Sequence, residues 1–401
     1  MRSTVRCLSV CIAIWAGCGR GKVTAVRVDP VPQSPPASGV QLAAPTGLPT
    51  AESSPVFQPG FHQALRWSNL TPGLVTFRFK IPIERAGNRI QVALRAGEGP
   101  VSLHRASVAR ASAGGTLLSA PVPLTFGGSE TAVLGPRERI LSDPLQFPVE
   151  LQDELAVSFA AEGALASSAI SAFPDSFRAP GDQTLQAHLV DALPHHQLLG
   201  VQTIEVEGKF ERAFVAIGDS ITEGYVTGDD DYRLAWPAIA ATASGQPVVN
   251  AAVSGQGVWG AYEHLRDEVA VLHGYTDCIV LVGTNDLAAI SSAEVIESLN
   301  ATFRALIDAG CRVWAGTLLP RESTSVGDLA VVNARRAEVN DWLRRHSPAF
   351  GVIDFERPMA APGDSNRFAP GLAIDGIHPT YAGQKVMGDL AAQLISAQPT
   401  R

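Results

Sequence analysis

Between about Phe61 and Val206, apolar residues fall on every second position. Val75, Phe77, Phe79 and Ile81 occupy one side of a strand, and Thr76, Arg78 and Lys80 the other. Ile90, Val92 and Leu94 repeat the alternation, as do Leu155, Val157 and Phe159, while Gly-Gly, Gly-Pro and Asp-Pro pairs mark turns between such runs. Half-buried strands in succession, with no helical pattern between them, predict an antiparallel β-sandwich or jelly-roll domain over residues 61–206.

From Ala213 onward the pattern changes. Continuous apolar runs at 214–217, 248–249, 279–282, 313–318 and 352–353 have the length and character of strands buried on both faces. Residues 236–244, 293–309 and 333–345 carry helix-compatible spacing between them. Alternating strands and helices predict a parallel sheet covered on both sides, a doubly wound α/β domain over residues 207–401. Ahead of both domains, residues 19–60 are rich in Pro, Ser, Ala and Gly and read as a linker that cannot bury enough apolar surface to order itself.

Composition narrows the function. The 401 residues are 46% hydrophobic and 17% charged, ample for two cores. Lys+Arg 31 against Asp+Glu 39 leaves a formal charge of −8, without the basic footprint of a nucleic-acid binder, so DNA and RNA are not expected partners. Beyond the N-terminus, no apolar run approaches the roughly 20 residues of a membrane span.

Arg2 and Arg6 precede an apolar stretch over residues 7–16, the layout of a secretory signal over residues 1–18. Ala16-Gly17-Cys18 resembles a bacterial lipobox, although Trp15 stands where that motif usually carries leucine. The resemblance implies lipidation at Cys18 and a cell-envelope lipoprotein; an ordinary signal peptide would instead give a secreted or periplasmic protein. A lipid would anchor the protein to a membrane without spanning it. Only Cys278 and Cys311 then remain in the mature fold, each five positions before a glycine at the start of an apolar run. They are either core thiols or, if the runs are neighbouring strands in matched register, a disulfide.

Functional sites of open α/β sheets lie beyond the carboxyl ends of the strands. The first apolar run is followed by Gly218-Asp219-Ser220-Ile221-Thr222, the second by a segment from Asn250 to Ser254-Gly255, and the third by Gly283-Thr284-Asn285-Asp286. Asp375-Gly376-Ile377-His378-Pro379 stands near the C-terminus. In this order the motifs resemble the SGNH or GDSL-type hydrolase superfamily over about residues 213–396. The two-domain layout resembles, more narrowly, a bacterial subgroup of xylanase-associated acetylesterases. The resemblance implies that Ser220 is a nucleophile, His378 its base and Asp375 the acid that orients the imidazole. It implies an oxyanion hole of the Ser220 and Gly255 backbone N–H groups and the Asn285 side-chain amide. The chemistry is coherent, because a serine hydroxyl needs a neighbouring base to attack a carbonyl and the resulting oxyanion needs preset donors. A close backbone approach at Gly255 and a helix N-terminus at Ser220 would assist.

The expected enzyme is a serine esterase acting on short acyl groups, above all acetyl, on polysaccharide. A lipase or lysophospholipase-type acylhydrolase, favoured by a lipid anchor, and a glycan-binding protein with a vestigial hydrolase half are the alternatives. No cofactor is implied. His195-His196 would diverge on a regular element and Asp229-Asp230-Asp231 lacks the spacing of a calcium loop, so no metal site is expected and the acidic run reads as a solvated loop near the site mouth. His62 and Trp67 are weak candidates for ligand contact, and Trp259 and Leu287 for lining an acyl pocket; packing is the default for each.

Overall fold

The computed structural model describes residues 55–323 and 327–397. Residues 1–54, on which the expectations of a signal sequence, of lipidation at Cys18 and of most of the linker fall, lie outside the described residues.

The N-terminal half is antiparallel. Strands β1 (Val56–His62), β2 (Trp67–Pro82), β3 (Gly87–Arg110), β4 (Glu154–Ser171) and β5 (Val201–Gly208) pair in the order β1-β5-β3-β4-β2, with short strands added at the margins. β3 pairs with β5 through its first part and with β4 through its second, and a register shift between Ala96 and Val101 separates the two stretches. A strand that bends at such an irregularity carries one layer into the next, so the expected sandwich takes the form of one curled sheet. Phe77, Phe79, Ile81, Ile90, Val92, Leu94, Leu155, Val157 and Phe159 meet inside it as the alternation predicts. Residues 56–60, which composition assigns to the linker, are strand: β1 pairs with β5 from Val56↔Gly208, and its Pro59-Gly60 sits at a bulge.

The opposite face of β2 is solvated at Ser68, Leu70 and Pro72 but not at Thr76 and Arg78. Thr76 and Arg78 are buried because the segments around Gly115 and Gln186 cover them. Arg78 donates to Ser158 Oγ (2.9 Å) and to the carbonyls of Gly115 (2.8 Å) and Gln186 (2.7 Å). Those acceptors replace the water its guanidinium loses.

The C-terminal half is a five-stranded parallel sheet, β6 (Phe214–Gly218), β7 (Val248–Asn250), β8 (Asp277–Leu281), β9 (Arg312–Gly316) and β10 (Gly351–Ile353), in the order β7-β6-β8-β9-β10. Helices α1 (Ser220–Glu223), α2 (Trp236–Ser244), α3 (Val258–Glu268), α4 (Ser292–Asp308), α5 (Leu329–Arg345) and α6 (Tyr381–Ala397) connect and cover it. A capping box of Ser291 and Glu294 starts α4, and Asp328 caps α5. The spacing does not predict α3: Gly257 is its N-cap and Gly260 lies in its first turn, so its start looks like a loop. A disulfide joins Cys278 of β8 to Cys311, which immediately precedes the adjacent strand β9 (Cα–Cα 6.1 Å).

The halves share a buried junction. Tyr232 and Ala238 from the C-terminal half belong to the apolar core of the N-terminal half. Glu84 Oε1 accepts from the Tyr232 hydroxyl (3.1 Å) and Oε2 from the Val248 N–H (3.1 Å), and Arg95 pairs with Glu268 (2.6 Å).

Candidate active site

Because β6 lies between β7 and β8, the segments that follow these strands meet where the strand order reverses. Ser220 opens α1, and Asp219 caps that turn by accepting the Ile221 N–H (3.0 Å). Ser220 Oγ lies 2.8 Å from His378 Nε2, and His378 Nδ1 lies 2.8 Å from Asp375 Oδ2. Asp375 Oδ1 accepts the backbone N–H groups of Ile377 (3.0 Å) and His378 (2.8 Å). One carboxylate thus fixes both the loop and the ring. With its proton held on Nδ1 by that carboxylate, the imidazole presents Nε2 as an acceptor to the serine hydroxyl. The ring of Tyr225 packs on His378 at 4.7 Å.

Gly255 is exposed and has φ +80. A Cβ there would meet no protein atom within 4 Å, so within the protein itself the position favours glycine for its left-handed backbone. Asn285 follows β8, and its Nδ2 donates to the Gln256 carbonyl (2.9 Å), which sets the amide beside the Gly255 segment. Among the described residues, no hydrogen bond occupies the backbone N–H of Ser220 or of Gly255. The helix dipole expected at Ser220 is weak, because α1 spans only Ser220–Glu223 and few peptides align in a single turn.

Burial and hydrogen bonding set the charges. Burial alone would raise the Asp375 carboxyl, but donation from the His378 ring and from the His378 and Ile377 backbones brings it down to about 2, so it stays ionised beside the imidazole. Burial pushes Asp219 up to about 7 and Asp286 up to about 6. Asp286 accepts the Val258 N–H (3.0 Å) at the start of α3, and a Cβ on Gly257 would clash with its Oδ1.

Residues 216–386 match the GDSL-like lipase/acylhydrolase family. The C-terminal half carries a GDSL-like lipase/acylhydrolase domain. It is a carboxylic ester hydrolase domain, and Ser220, Gly255, Asn285, Asp375 and His378 all fall inside the matched span. Similar solved structures include the lipase/acylhydrolase from Enterococcus faecalis, 23% identical, covering 47% of this chain and 97% of its own, with a TM-score of 0.38. Others are a GDSL-like lipase from Bacteroides thetaiotaomicron (19% identity, 47% and 89% coverage, TM-score 0.38) and the psychrotrophic esterase EstA from Pseudoalteromonas sp. (17%, 46% and 96%, 0.36). No curated protein matches the chain.

Other residues singled out in the sequence stand elsewhere. His62 is buried against Thr203 Oγ1 (2.9 Å) and burial lowers its pKa to about 3, so it is a neutral core histidine. Leu287 is buried in the GDSL-like domain core and Trp259 packs on that core, whereas Trp67 is exposed on β2. His195 lies against Phe77 and Phe79, while His196 pairs with Asp229 (2.7 Å). Only part of the acidic run is solvated: Asp230 is buried and accepts the N–H groups of Val226 (3.2 Å), Thr227 (2.8 Å) and Gly228 (2.9 Å) and the Tyr381 hydroxyl (3.0 Å). Sequence reasoning missed Glu223, Gln256 and Tyr225 around the triad. Only Glu223 left a local signal, standing three positions after Ser220 on what a motif reader takes as the start of a helix.

Proposed function

We propose that the protein is a serine esterase that removes short acyl groups, chiefly acetyl, from polysaccharide hydroxyls. Ser220 Oγ attacks the ester carbonyl while His378 Nε2 takes its proton, and Asp375 holds the imidazolium that forms. The tetrahedral oxyanion accepts from the Ser220 and Gly255 N–H groups and the Asn285 amide. Collapse breaks the bond to the alcohol, which leaves with the proton from Nε2. Water, deprotonated by the same nitrogen, then attacks the acyl-serine, releases the acid and returns the proton to Ser220.

The observation that carries this reading is the continuous relay from Ser220 Oγ to His378 Nε2 and from Nδ1 to Asp375, each contact 2.8 Å. The polymeric substrate is favoured by exposure: Gly255, Asn285 and Asp375 all lie at the surface, where a bulky alcohol can approach. An exported address agrees with the signal-like residues 1–18 and with the Cys278–Cys311 disulfide, since disulfides persist in oxidising compartments. Lipidation at Cys18 would hold the enzyme at the envelope, close to extracellular polymer.

Acid release from acetylated glycans and from acyl esters of graded chain length tests the reading. Turnover should be highest with acetyl and should vanish in Ser220→Ala. A preference for long acyl chains would instead assign a lipase-type acylhydrolase.

A further inference from the structure

α1 places Glu223 one turn after Ser220, with its side chain buried. A carboxylate removed from water needs replacement donors, and this one draws them from both halves of the molecule. Oε1 accepts the backbone N–H groups of Ala169 (3.1 Å) and Ile170 (3.4 Å) on β4 and the Gln63 side-chain amide (3.4 Å), all from the N-terminal half. Oε2 accepts the backbone N–H of Ser254 (2.7 Å), the residue before Gly255. Gln63 also bridges to Asn250 at the end of β7, so the N-terminal half reaches the root of the same loop.

The far side of the loop is tied as well. The Gln256 amide donates to the Gly218 carbonyl, and the Val253 N–H donates to the same oxygen (3.1 Å). His264, kept neutral by burial with a pKa near 3, donates from Nδ1 to Gln256 Oε1 (2.9 Å). The Gly255 loop is therefore fastened to the Ser220 segment at both flanks, at Gly218 and at Glu223. Among the described residues, the Glu223 fastening is the one that continues into the N-terminal sheet.

We propose that Glu223 is a positioning residue for the oxyanion-binding loop. Its carboxylate sets the Gly255 N–H relative to the Ser220 N–H, and the N-terminal sheet, by fixing the other oxygen, is a structural part of the active site. This rests on the roles given above to Ser220 and Gly255. A carboxylate can accept on both oxygens, whereas an amide has one acceptor oxygen and one NH2 group. In Glu223→Gln the NH2 must face the Ser254 N–H or the β4 N–H groups, donor against donor, and one flank comes loose.

The test compares wild type, Glu223→Gln, Glu223→Asp and Ser220→Ala in full-length protein. A fluorophosphonate that labels the active serine counts competent sites, so kcat is expressed per labelled molecule and is not lowered by an unfolded fraction. Losing an oxyanion donor outright typically costs about 100- to 1,000-fold, and displacing one should cost less. Glu223→Gln should label to one equivalent and lose about 10- to 100-fold in kcat with KM within about threefold. Glu223→Asp, too short to reach both flanks, should behave the same way. Wild-type kcat per labelled site in both variants overturns the proposal. So does failure of both to label to one equivalent, which would make Glu223 a residue of the fold alone. Retained turnover in Ser220→Ala would instead remove the site assignment on which the proposal rests.

Discussion

The antiparallel and parallel halves dispose of their strand ends differently, and that difference decides where chemistry gathers. In the N-terminal sheet, successive strands run in opposite directions, so their ends alternate between the two edges and no single rim collects them. In the C-terminal sheet β6, β7 and β8 are adjacent and parallel, so the segments bearing Ser220, Gly255 and Asn285 emerge together. The antiparallel half reaches the site from behind, through backbone N–H groups and Gln63 directed at Glu223. The comparison separates a half whose substitutions should change chemistry from one whose substitutions should mainly change stability.

The sharpest break between them comes from the relay. His378→Ala should lower kcat on a small acetyl ester by about 10⁴-fold, with the thermal midpoint little changed. Asn285→Ala should cost about 100- to 1,000-fold, again in kcat. Phe79 in the N-terminal core should do the reverse. Its ring is fully buried and packs among Phe77 and Phe159, so Phe79→Ala should destabilise by about 3–5 kcal/mol in a denaturant titration while leaving kcat per folded molecule near wild type. A loss of turnover in Phe79→Ala as large as that in Asn285→Ala would erase the division.

Legibility in the sequence followed the same divide. Ser220 and Asn285 are legible because each sits in a short motif directly after a strand of the parallel sheet, and Asp375 and His378 because they stand three apart in one short motif. The inward positions of β2, β3 and β4 were readable because period-two alternation marks a buried face. What escaped depends on partners remote in the chain. Arg78 reads as a solvent-facing cation, yet carbonyls at Gly115 and Gln186 enclose it. Glu223 and Glu84 belong to no motif read in the sequence, and each takes donors from the opposite half. The N-terminal boundary and α3 were hidden for a local reason: Pro59-Gly60 at a bulge and Gly257 and Gly260 at a helix start look the same in sequence as a loop.

Glu84 leaves the chemistry untouched and bears most directly on how the halves are joined. Burial raises its pKa from the ordinary carboxyl range to about 8, although the Val248 N–H and the Tyr232 hydroxyl both favour the anion. The folded protein therefore holds a proton on Glu84 that the unfolded chain releases at lower pH. The junction's contribution is complete below the unfolded value of about 4.5 and declines as pH rises toward 8. Glu84→Gln resembles the protonated state: its oxygen can accept the Val248 N–H and its NH2 can donate to the Tyr232 oxygen. The variant should match wild type in stability near pH 5 and exceed it near pH 9. Other buried acids, including Asp219 and Asp286, are raised in the same direction and contribute equally to both proteins, so the difference between the two stability curves isolates Glu84. Parallel curves across that range would mean that the carboxylate enters the junction already charged, with its two donors sufficient to keep it so.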